Sequence, residues 1–370
     1  MHKPVNEKRK HILITLPSLK DQGGVAGFYN SVLPYLSGEG FVISTLEIGS
    51  TRGAGRLLYP ISDQLRFKRA TSRLKPDLVH VNPSLGIKSF IRDGLFIYQA
   101  KRKRLPVIVF FRGWIKGFEQ IVSKKLLWFF KLTYGQADCF IVLATDFKET
   151  LQKWGITQPI YLATTAVDES LVKGFSIFDK LKQLEKAREI KILFLARLER
   201  EKGVFETVDA ISDLIRKGFP ISLSIAGDGK ILGELQQYVA EKRLAENSIR
   251  FLGYVKKGAK SAAFAQHHIY CLPTAYGEGL PNSILEAMAF GMPVVTRPVG
   301  GIADFFKDGR MGSLCQEKTA DEIATSLEDL IVDRAKMIKM SKYNFDYAKE
   351  HFMASSVARN LVDIYQQTMV

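Results

Sequence analysis

The chain has 370 residues, of which 46% are hydrophobic and 25% are charged, and its formal net charge is +15. This composition excludes a disordered or fibrous protein, and the length predicts two domains rather than one. The three cysteines are scattered and form no C-x-x-C pair, which argues against both a disulfide framework and a zinc site.

The positive charge is concentrated in the first part of the chain. Residues 1–170 carry 25 Lys and Arg against 13 Asp and Glu, a net charge of +12, whereas residues 171–370 carry 28 against 25, a net charge of +3. The asymmetry predicts an anionic partner for the first part: nucleic acid, an acidic membrane surface or a phosphorylated substrate. No apolar run approaches the roughly 18 residues of a membrane-spanning helix, and the apolar run 12–16 is too short for a signal peptide. A cytoplasmic location is therefore expected.

Strand-like apolar runs alternate with helical patterns along the chain. These runs lie at 11–18, 41–48, 77–83, 106–113 and 139–144, and then at 191–198, 221–229, 249–254, 268–274 and 293–298. The alternation predicts an α/β protein with two Rossmann-like, doubly wound domains whose strand ends face a cleft. We expect an N-terminal domain at 1–169 and a second domain at 170–350. Residues 351–370 form a C-terminal helix that could return to the first domain.

The stretch 275-AYGEGLPNSILEAMAFGMPVV-295 follows a predicted strand and holds Glu278 and Glu286. Residues 281–290 are predicted to form a helix with proline in its first turn. Backbone amides at the start of such a helix form an anion site, most often for phosphate; here they belong to Leu280, Asn282 and Ser283. The two carboxylates should lie on the order of 10 Å apart, wider than the roughly 5–5.5 Å of a retaining glycoside hydrolase. A nucleotide sugar, with hydroxyls at both ends and a diphosphate between them, fits better.

Other predicted post-strand loops supply groups that a phosphorylated ligand requires. Arg197 and Lys202 lie five residues apart across a turn and can reach one anion. Gly23 and Gly24 allow the backbone to approach a ligand closely, and His80 ends a predicted strand, either facing the cleft or serving a structural role. The sequence contains no D-x-D and no dinucleotide G-x-G-x-x-G motif, so neither a bridging metal nor a nicotinamide cofactor is indicated.

Four segments together resemble glycosyltransferase family 4, and the resemblance extends over nearly the whole chain. They are 278-EGLPNSILEAMAFGMPVV-295, 300-GGIADFF-306, 195-LARLEREKG-203 and 23-GGVAGF-28. This family consists of retaining, metal-independent enzymes with the two-domain GT-B fold. The chain departs from the family pattern at a few positions, including Ala196 for glycine, Asp304 for glutamate and Arg112 where many relatives have a histidine that contacts the sugar or acceptor. Arg112 could instead meet a phosphate or an acidic acceptor.

The resemblance implies a role for each matched residue. Arg197 and Lys202 would bind the donor diphosphate, Glu286 the ribose hydroxyls and Glu278 the transferred sugar, with the backbone of Gly279 and Leu280 lining the sugar pocket. The leaving diphosphate would help to deprotonate the acceptor, so no protein nucleophile and no cofactor are needed. The expected reaction moves a hexosyl or N-acetylhexosaminyl group from a UDP- or GDP-sugar to a glycan or lipid-linked acceptor in bacterial surface polysaccharide or lipopolysaccharide synthesis.

The basic first half also suggests contact with the inner face of a membrane. The segment 123-SKKLLWFFKLTYG-135 mixes lysines with large apolar side chains, and 101-KRKR-104 adds positive charge, a combination typical of interfacial anchors. The same segment could instead be a core helix. Two other functional classes remain open: a related phosphate-binding enzyme, such as a sugar-nucleotide epimerase or a phosphorylase, and a nucleic-acid-binding protein. The chain contains no recognisable nucleic-acid-binding motif, so no nucleic-acid partner is expected.

Overall fold

The computed structural model describes residues 9–21, 23–37, 40–49, 59–275 and 279–369. The chain folds as two units. Unit 1 comprises Met1–Thr164 together with Ala354–Val370, and unit 2 comprises Thr165–Met353.

Unit 1 is built on a parallel sheet of six strands. The strands of the whole unit are β1 (Lys10–Leu16), β2 (Phe41–Glu47), β3 (Leu78–Val81), β4 (Ser84–Leu85), β5 (Val107–Phe110), β6 (Gly113–Trp114), β7 (Cys139–Val142) and β8 (Ile160–Leu162). The order in the sheet is β2-β1-β3-β5-β7-β8, and β4 pairs separately with β6. Every residue of β3, β5 and β7 is buried, as expected for parallel strands with both faces covered.

Unit 2 repeats the architecture with a second parallel sheet. Its strands are β9 (Ile190–Leu195), β10 (Ile221–Ala226), β11 (Ile249–Gly253), β12 (Ile269–Leu272), β13 (Val294–Thr296) and β14 (Gly312–Leu314). Their order is β11-β10-β9-β12-β13-β14. The prediction of two doubly wound α/β domains is confirmed, and each predicted strand overlaps an observed one. The short strands β4, β6, β8 and β14 were not predicted.

Helices connect the strands and end the chain. They are α1 (Gly24–Leu36), α2 (Tyr59–Leu74), α3 (Ile87–Arg102), α4 (Lys116–Ile121), α5 (Leu127–Leu132), α6 (Thr145–Lys153), α7 (Ile177–Lys186), α8 (Val204–Arg216), α9 (Leu232–Glu241), α10 (Lys257–Gln266), α11 (Asn282–Ala289), α12 (Ile302–Phe305), α13 (Ala320–Val332), α14 (Arg334–His351) and α15 (Ala354–Thr368). The last of these, α15, packs against α1 in unit 1.

The predicted bounds of one helix need correction. The sequence predicted a helix over 281–290 with proline inside its first turn, whereas α11 begins at Asn282 and ends at Ala289. Pro281 precedes the helix as its N-cap, because its ψ of 117° is extended rather than helical.

The segment 123–135 divides its side chains between core and solvent. A π-helical turn, Val122–Leu126, leads into α5. Phe130 is fully buried, and Phe129 packs against Gly94 of α3, whereas Trp128 is 65% exposed. In the described part of the chain, no helix is both long enough and apolar enough to cross a bilayer.

Candidate active site

Loops that follow four neighbouring strands of unit 2 interlock at the carboxyl edge of the sheet. The Leu198 amide after β9 donates to the Asp228 carbonyl after β10 (2.9 Å), and the Ala275 amide after β12 donates to the Glu201 carbonyl (2.7 Å). The Gly301 amide, in the loop after β13, donates to the carbonyl of Gly279 (2.6 Å). Ligands of open α/β sheets bind at this edge, so we take these loops as the candidate site.

Two glycines let these loops approach one another closely. Gly203 has a φ of +80°, and a Cβ added there would lie 2.7 Å from Pro273. Gly227 has a φ of +146°, and its added Cβ would lie 1.9 Å from the Ala196 carbonyl oxygen. Side chains at these positions would clash with backbone and force a strained conformation. The glycines are therefore part of how the site is built.

Arg197 and Lys202 lie on the same loop but in different surroundings. The Arg197 side chain is 67% exposed, and its Nη1 lies 3.3 Å from Glu199 Oε1. Lys202 ends a 3₁₀ turn and is only 3% exposed. The predicted pair thus combines one solvated cation, which can swing toward a ligand, with one that the fold holds in place.

Glu286 lies in the second turn of α11 with its carboxylate buried. Its Oε1 accepts a hydrogen bond from Lys260 Nζ on α10 (2.6 Å), while its buried Oε2 has no hydrogen-bond partner among the described residues. Burial raises the pKa of Glu286; the Lys260 ammonium opposes this shift, and the Asp168 carboxylate adds to it. A buried acceptor without a partner is costly, and a ligand hydroxyl would satisfy it.

The start of α11 presents backbone amides to the same loops. Asn282 and Ser283, its first two residues, are half-buried, Leu280 is buried, and no side chain caps the helix. The amides of a first helical turn lack intrahelical acceptors, so this end can bind an anion. Glu278 lies outside the described residues, and with it the predicted separation of the two carboxylates.

In unit 1, His80 belongs to a buried hydrogen-bond network. Its Nδ1 lies 2.7 Å from the Tyr365 hydroxyl and its Nε2 3.3 Å from the Tyr29 hydroxyl, which donates to Asn82 Oδ1 (2.7 Å). Burial, together with the nearby charge of Arg112, lowers the pKa of His80 to about 3. A neutral ring with both nitrogens bonded and no exposed surface fits the structural alternative for this residue.

Gly23, Gly24 and Arg112 lie after β1 and β5 at the carboxyl edge of the unit 1 sheet. A Cβ added at Gly23 or Gly24 would meet no described atom within 4 Å. The backbone therefore borders open space at these two glycines. The Arg112 guanidinium lies over the Phe28 ring of α1, with its central carbon 3.9 Å from the ring centroid.

Several residues of these sites were not foreseen from the sequence. Lys260 and Asp168, which act on Glu286, come from other parts of the chain and carry no local signal. The same holds for Tyr365, which is 285 residues from its partner His80. The adjacent pair His267 and His268 is buried and bonded to backbone, which indicates a structural role. Among the described residues, no group of three His, Cys, Asp or Glu residues could hold a metal ion.

Comparison with known families now decides which family the chain represents. The model described as Glycosyltransferase Family 4 matches residues 36–171, and the one described as Glycosyl transferases group 1 matches residues 176–347. The chain belongs to the glycosyltransferases that these two models describe. The second match contains all the candidate residues of unit 2, including the loop after β9 and α11.

Individual relatives are distant, and solved structures resemble the chain in fold. It is 30% identical to a phosphatidyl-myo-inositol mannosyltransferase of Mycobacterium leprae over 141 residues, or 38% of this chain and 37% of that protein. HepE of Anabaena, solved with UDP and glucose, has a TM-score of 0.69 and 16% identity, with 96% of this chain and 99% of that one covered. The lipopolysaccharide outer core galactosyltransferase WaaB has the same TM-score and identity, covering 97% and 99%. These structures confirm the GT-B fold; the chain spans about half the length, or less, of the curated relatives it matches.

Proposed function

We propose that the protein is a retaining, metal-independent glycosyltransferase that moves a sugar from a nucleotide sugar to a glycan or lipid-linked acceptor. The observation that carries this proposal is the buried Glu286, whose Oε2 has no partner in the part of the chain that the structure describes. It lies on the helix whose first turn offers amides to an anion, and the loops beside that helix hold Arg197 and Lys202. A carboxylate for ribose hydroxyls, amides for phosphate and cations for a leaving diphosphate are the groups that a nucleotide sugar requires.

The proposed reaction needs no nucleophile from the protein. The bond between the anomeric carbon and the diphosphate oxygen breaks, and a bond to the acceptor oxygen forms on the same face of the sugar. The acceptor proton passes to the departing diphosphate. Arg197 and Lys202 stabilise the negative charge that develops on this leaving group, and Glu278 contacts the transferred sugar. UDP-sugars are our first candidates as donors because HepE, which shares the fold, was solved with UDP; GDP-sugars are the second.

The first test is a thermal-shift screen of the purified protein against UDP, GDP, ADP and their sugars. A ligand that binds only the folded state raises its melting temperature; at 100 times its Kd, the rise should be about 5–10 °C for a unit of this size. Glu286→Ala should abolish the rise and Lys202→Ala should reduce it, whereas Arg188→Ala, an exposed cation before β9, should retain it. If no nucleotide raises the melting temperature at millimolar concentration, the transferase proposal fails.

Product analysis separates the proposed reaction from those of related enzymes. A transferase releases nucleotide only as the sugar reaches an acceptor or, slowly, water. A phosphorylase would require inorganic phosphate for sugar release, and an epimerase would convert the sugar without releasing nucleotide. Either of those results would replace the proposal.

We also propose that unit 1 contacts an anionic membrane surface and that the acceptor belongs to bacterial surface polysaccharide or lipopolysaccharide synthesis. Trp128 and Leu132, 65% and 50% exposed, lie four residues apart on one face of α5. Lys124, Lys125 and Lys131 are exposed around them. Apolar groups that enter the interface beside cations that meet anionic headgroups favour binding there. The resemblance in fold to WaaB supports the choice of pathway.

Co-sedimentation with vesicles tests this surface. We expect binding to vesicles that contain anionic lipid and weaker binding as salt is raised. The double variant Trp128→Ala, Leu132→Ala should bind about tenfold more weakly, since two side chains lose apolar burial. Phe178→Ala removes an equally exposed aromatic side chain from unit 2 (76% exposed) and should bind like the unaltered protein. Equal binding by all three proteins would refute the assignment to α5.

A further inference from the structure

Arg112, the second residue after β5, is half-buried. Among the residues that the structure describes, none supplies a counter-charge to it, and its buried Nε and Nη1 have no hydrogen-bond partner. Burial lowers the pKa of Arg112 to about 10, so the guanidinium stays protonated at neutral pH. A buried cation whose N–H groups are unsatisfied costs folding free energy. Such a cost is commonly tolerated where a ligand supplies the missing partner.

The described titratable groups that interact with Arg112 are uncharged at neutral pH. Tyr29 and His80 are the titratable side chains that interact with its charge; burial raises the pKa of Tyr29 and lowers that of His80. At neutral pH both are therefore uncharged. The guanidinium also lies over the rings of Phe28 and Phe110, at 3.9 and 4.4 Å from their centroids. These rings attract the cation through their faces but leave its N–H groups unsatisfied.

The backbone holds Arg112 rigidly. Its amide donates to the Pro83 carbonyl (2.9 Å), and the next residue, Gly113, pairs with Ser84 in the β4–β6 ladder. A Cβ at Gly113 would lie 2.9 Å from the Ser84 hydroxyl oxygen, so the two loops are in close contact. The backbone at Arg112 is thus held in place before any ligand arrives, and the contacts of the guanidinium with the Phe28 and Phe110 rings limit its motion, which reduces the entropic cost of binding.

The first turn of α1 lies near the Arg112 guanidinium. Phe28 lies one turn inside α1, and helical side chains lean toward the N-terminus, so its ring covers the turn that begins at Gly24. Gly23, Gly24 and Gly27 have neither positive φ nor a described atom within 4 Å of an added Cβ. Neither strain nor crowding therefore requires glycine there. No described side chain caps the first turn, and the amides and dipole at the start of a helix attract anions.

We propose that Arg112 and the first turn of α1 bind a phosphoryl group of the acceptor, so that the acceptor is a phosphorylated glycan or a phosphate-linked lipid. This inference rests on the proposed transferase function. A phosphoryl group offers several acceptor oxygens, which suits a guanidinium fork and a set of helix amides together. The diphosphate of the donor has the same chemistry, and the experiment must distinguish the two sources.

The test is a titration with inorganic phosphate at constant ionic strength, with chloride as the balancing anion and saturating nucleotide in the donor site. Calorimetry measures the binding of phosphate to the unaltered protein and to each variant. Arg112→Gln should weaken phosphate binding about 10- to 100-fold, because charge-assisted hydrogen bonds are lost. Arg112→Lys should recover part of the affinity. Arg69→Gln removes the same charge from an exposed position of α2 and should bind phosphate like the unaltered protein.

Four further results would overturn the inference. Phosphate binding that Arg112→Gln leaves unchanged would show that the guanidinium is not an anion site. Nucleoside diphosphate binding weakened tenfold by the same variant would assign Arg112 to the donor instead. The melting temperature of ligand-free Arg112→Gln should equal or exceed that of the unaltered protein, since a charge whose buried Nε and Nη1 have no described partner is removed. A clear decrease would mean that Arg112 serves the fold. Nucleotide binding without phosphate binding would refute this inference alone, whereas loss of nucleotide binding in the unaltered protein would refute the proposed function.

Discussion

Lys202→Ala lowers kcat/KM by about 100- to 1000-fold, the range found when one group that stabilises developing charge is removed from an active site. Lys202 is 3% exposed on the turn that follows β9, so its position is set before the substrate binds. Negative charge grows on the diphosphate as the glycosidic bond breaks, so a fixed ammonium stabilises the transition state more than the bound donor. The loss should therefore fall more on kcat than on KM. The measurement is the initial rate of nucleotide release with the donor that the thermal-shift screen identifies.

Arg200→Ala is the matched control for this prediction. Arg200 lies on the same turn, but its side chain is exposed and pairs with Glu234 of α9. Exposed ion pairs contribute little, so the variant should keep its activity within about twofold. If Arg200→Ala and Lys202→Ala lose activity equally, the turn rather than the ammonium is responsible. If Lys202→Ala instead raises KM at constant kcat, Lys202 contributes only to binding of the donor in the ground state.

The fold could be predicted because buried parallel strands produce continuous apolar runs. The stretches that contain β3, β5, β7, β9 and β12 are of this kind, and each was recognised. The strands that escaped prediction are two or three residues long. Strands β4 and β6 pair only with one another, and β8 has no fully buried residue. These strands form because neighbouring parts of the folded chain pair with them, so no local sequence pattern predicts them.

The site was predictable where its residues lie in one continuous motif. The loop after β9 and the helix α11 are such segments, and the sequence placed Arg197, Lys202 and Glu286 on them. Partners that reach the site from elsewhere could not be predicted: Lys260 comes from α10, and its ion pair with Glu286 exists only because α10 packs beside α11. The surroundings of Arg112 are similar, since the lack of a counter-charge becomes visible only when every neighbour is known.

Acidification should destabilise unit 2 about twice as steeply as unit 1. Burial lowers the pKa of His267 to about 4 and that of His268 to about 3, helped by the charge of Lys180. Among the described histidines of unit 1, only His80 has a lowered pKa. Because these pKa values lie below the ordinary 6.5, the unfolded chain binds more protons than the folded chain below about pH 6.5. The free energy of unfolding therefore decreases as the pH is lowered. The decrease is at most about 2.7 kcal/mol per pH unit in unit 2 and about 1.4 kcal/mol per pH unit in unit 1. The raised pKa of Glu286 acts in the opposite direction and reduces the slope of unit 2.

Urea unfolding between pH 7 and pH 5 can follow the two units separately. All three tryptophans lie in unit 1, so their fluorescence reports that unit, while far-UV circular dichroism reports both. The double variant His267→Asn, His268→Asn is designed to keep the bonds made by the two Nδ1 atoms, to the Ala263 carbonyl and from the Lys191 amide. Because asparagine does not titrate, it should flatten the pH dependence of unit 2 and leave unit 1 unchanged. His351→Gln replaces a partly exposed ring and should retain the full slope. An unaltered slope in the double variant would show that carboxylates, rather than these two buried imidazoles, cause the acid sensitivity of unit 2.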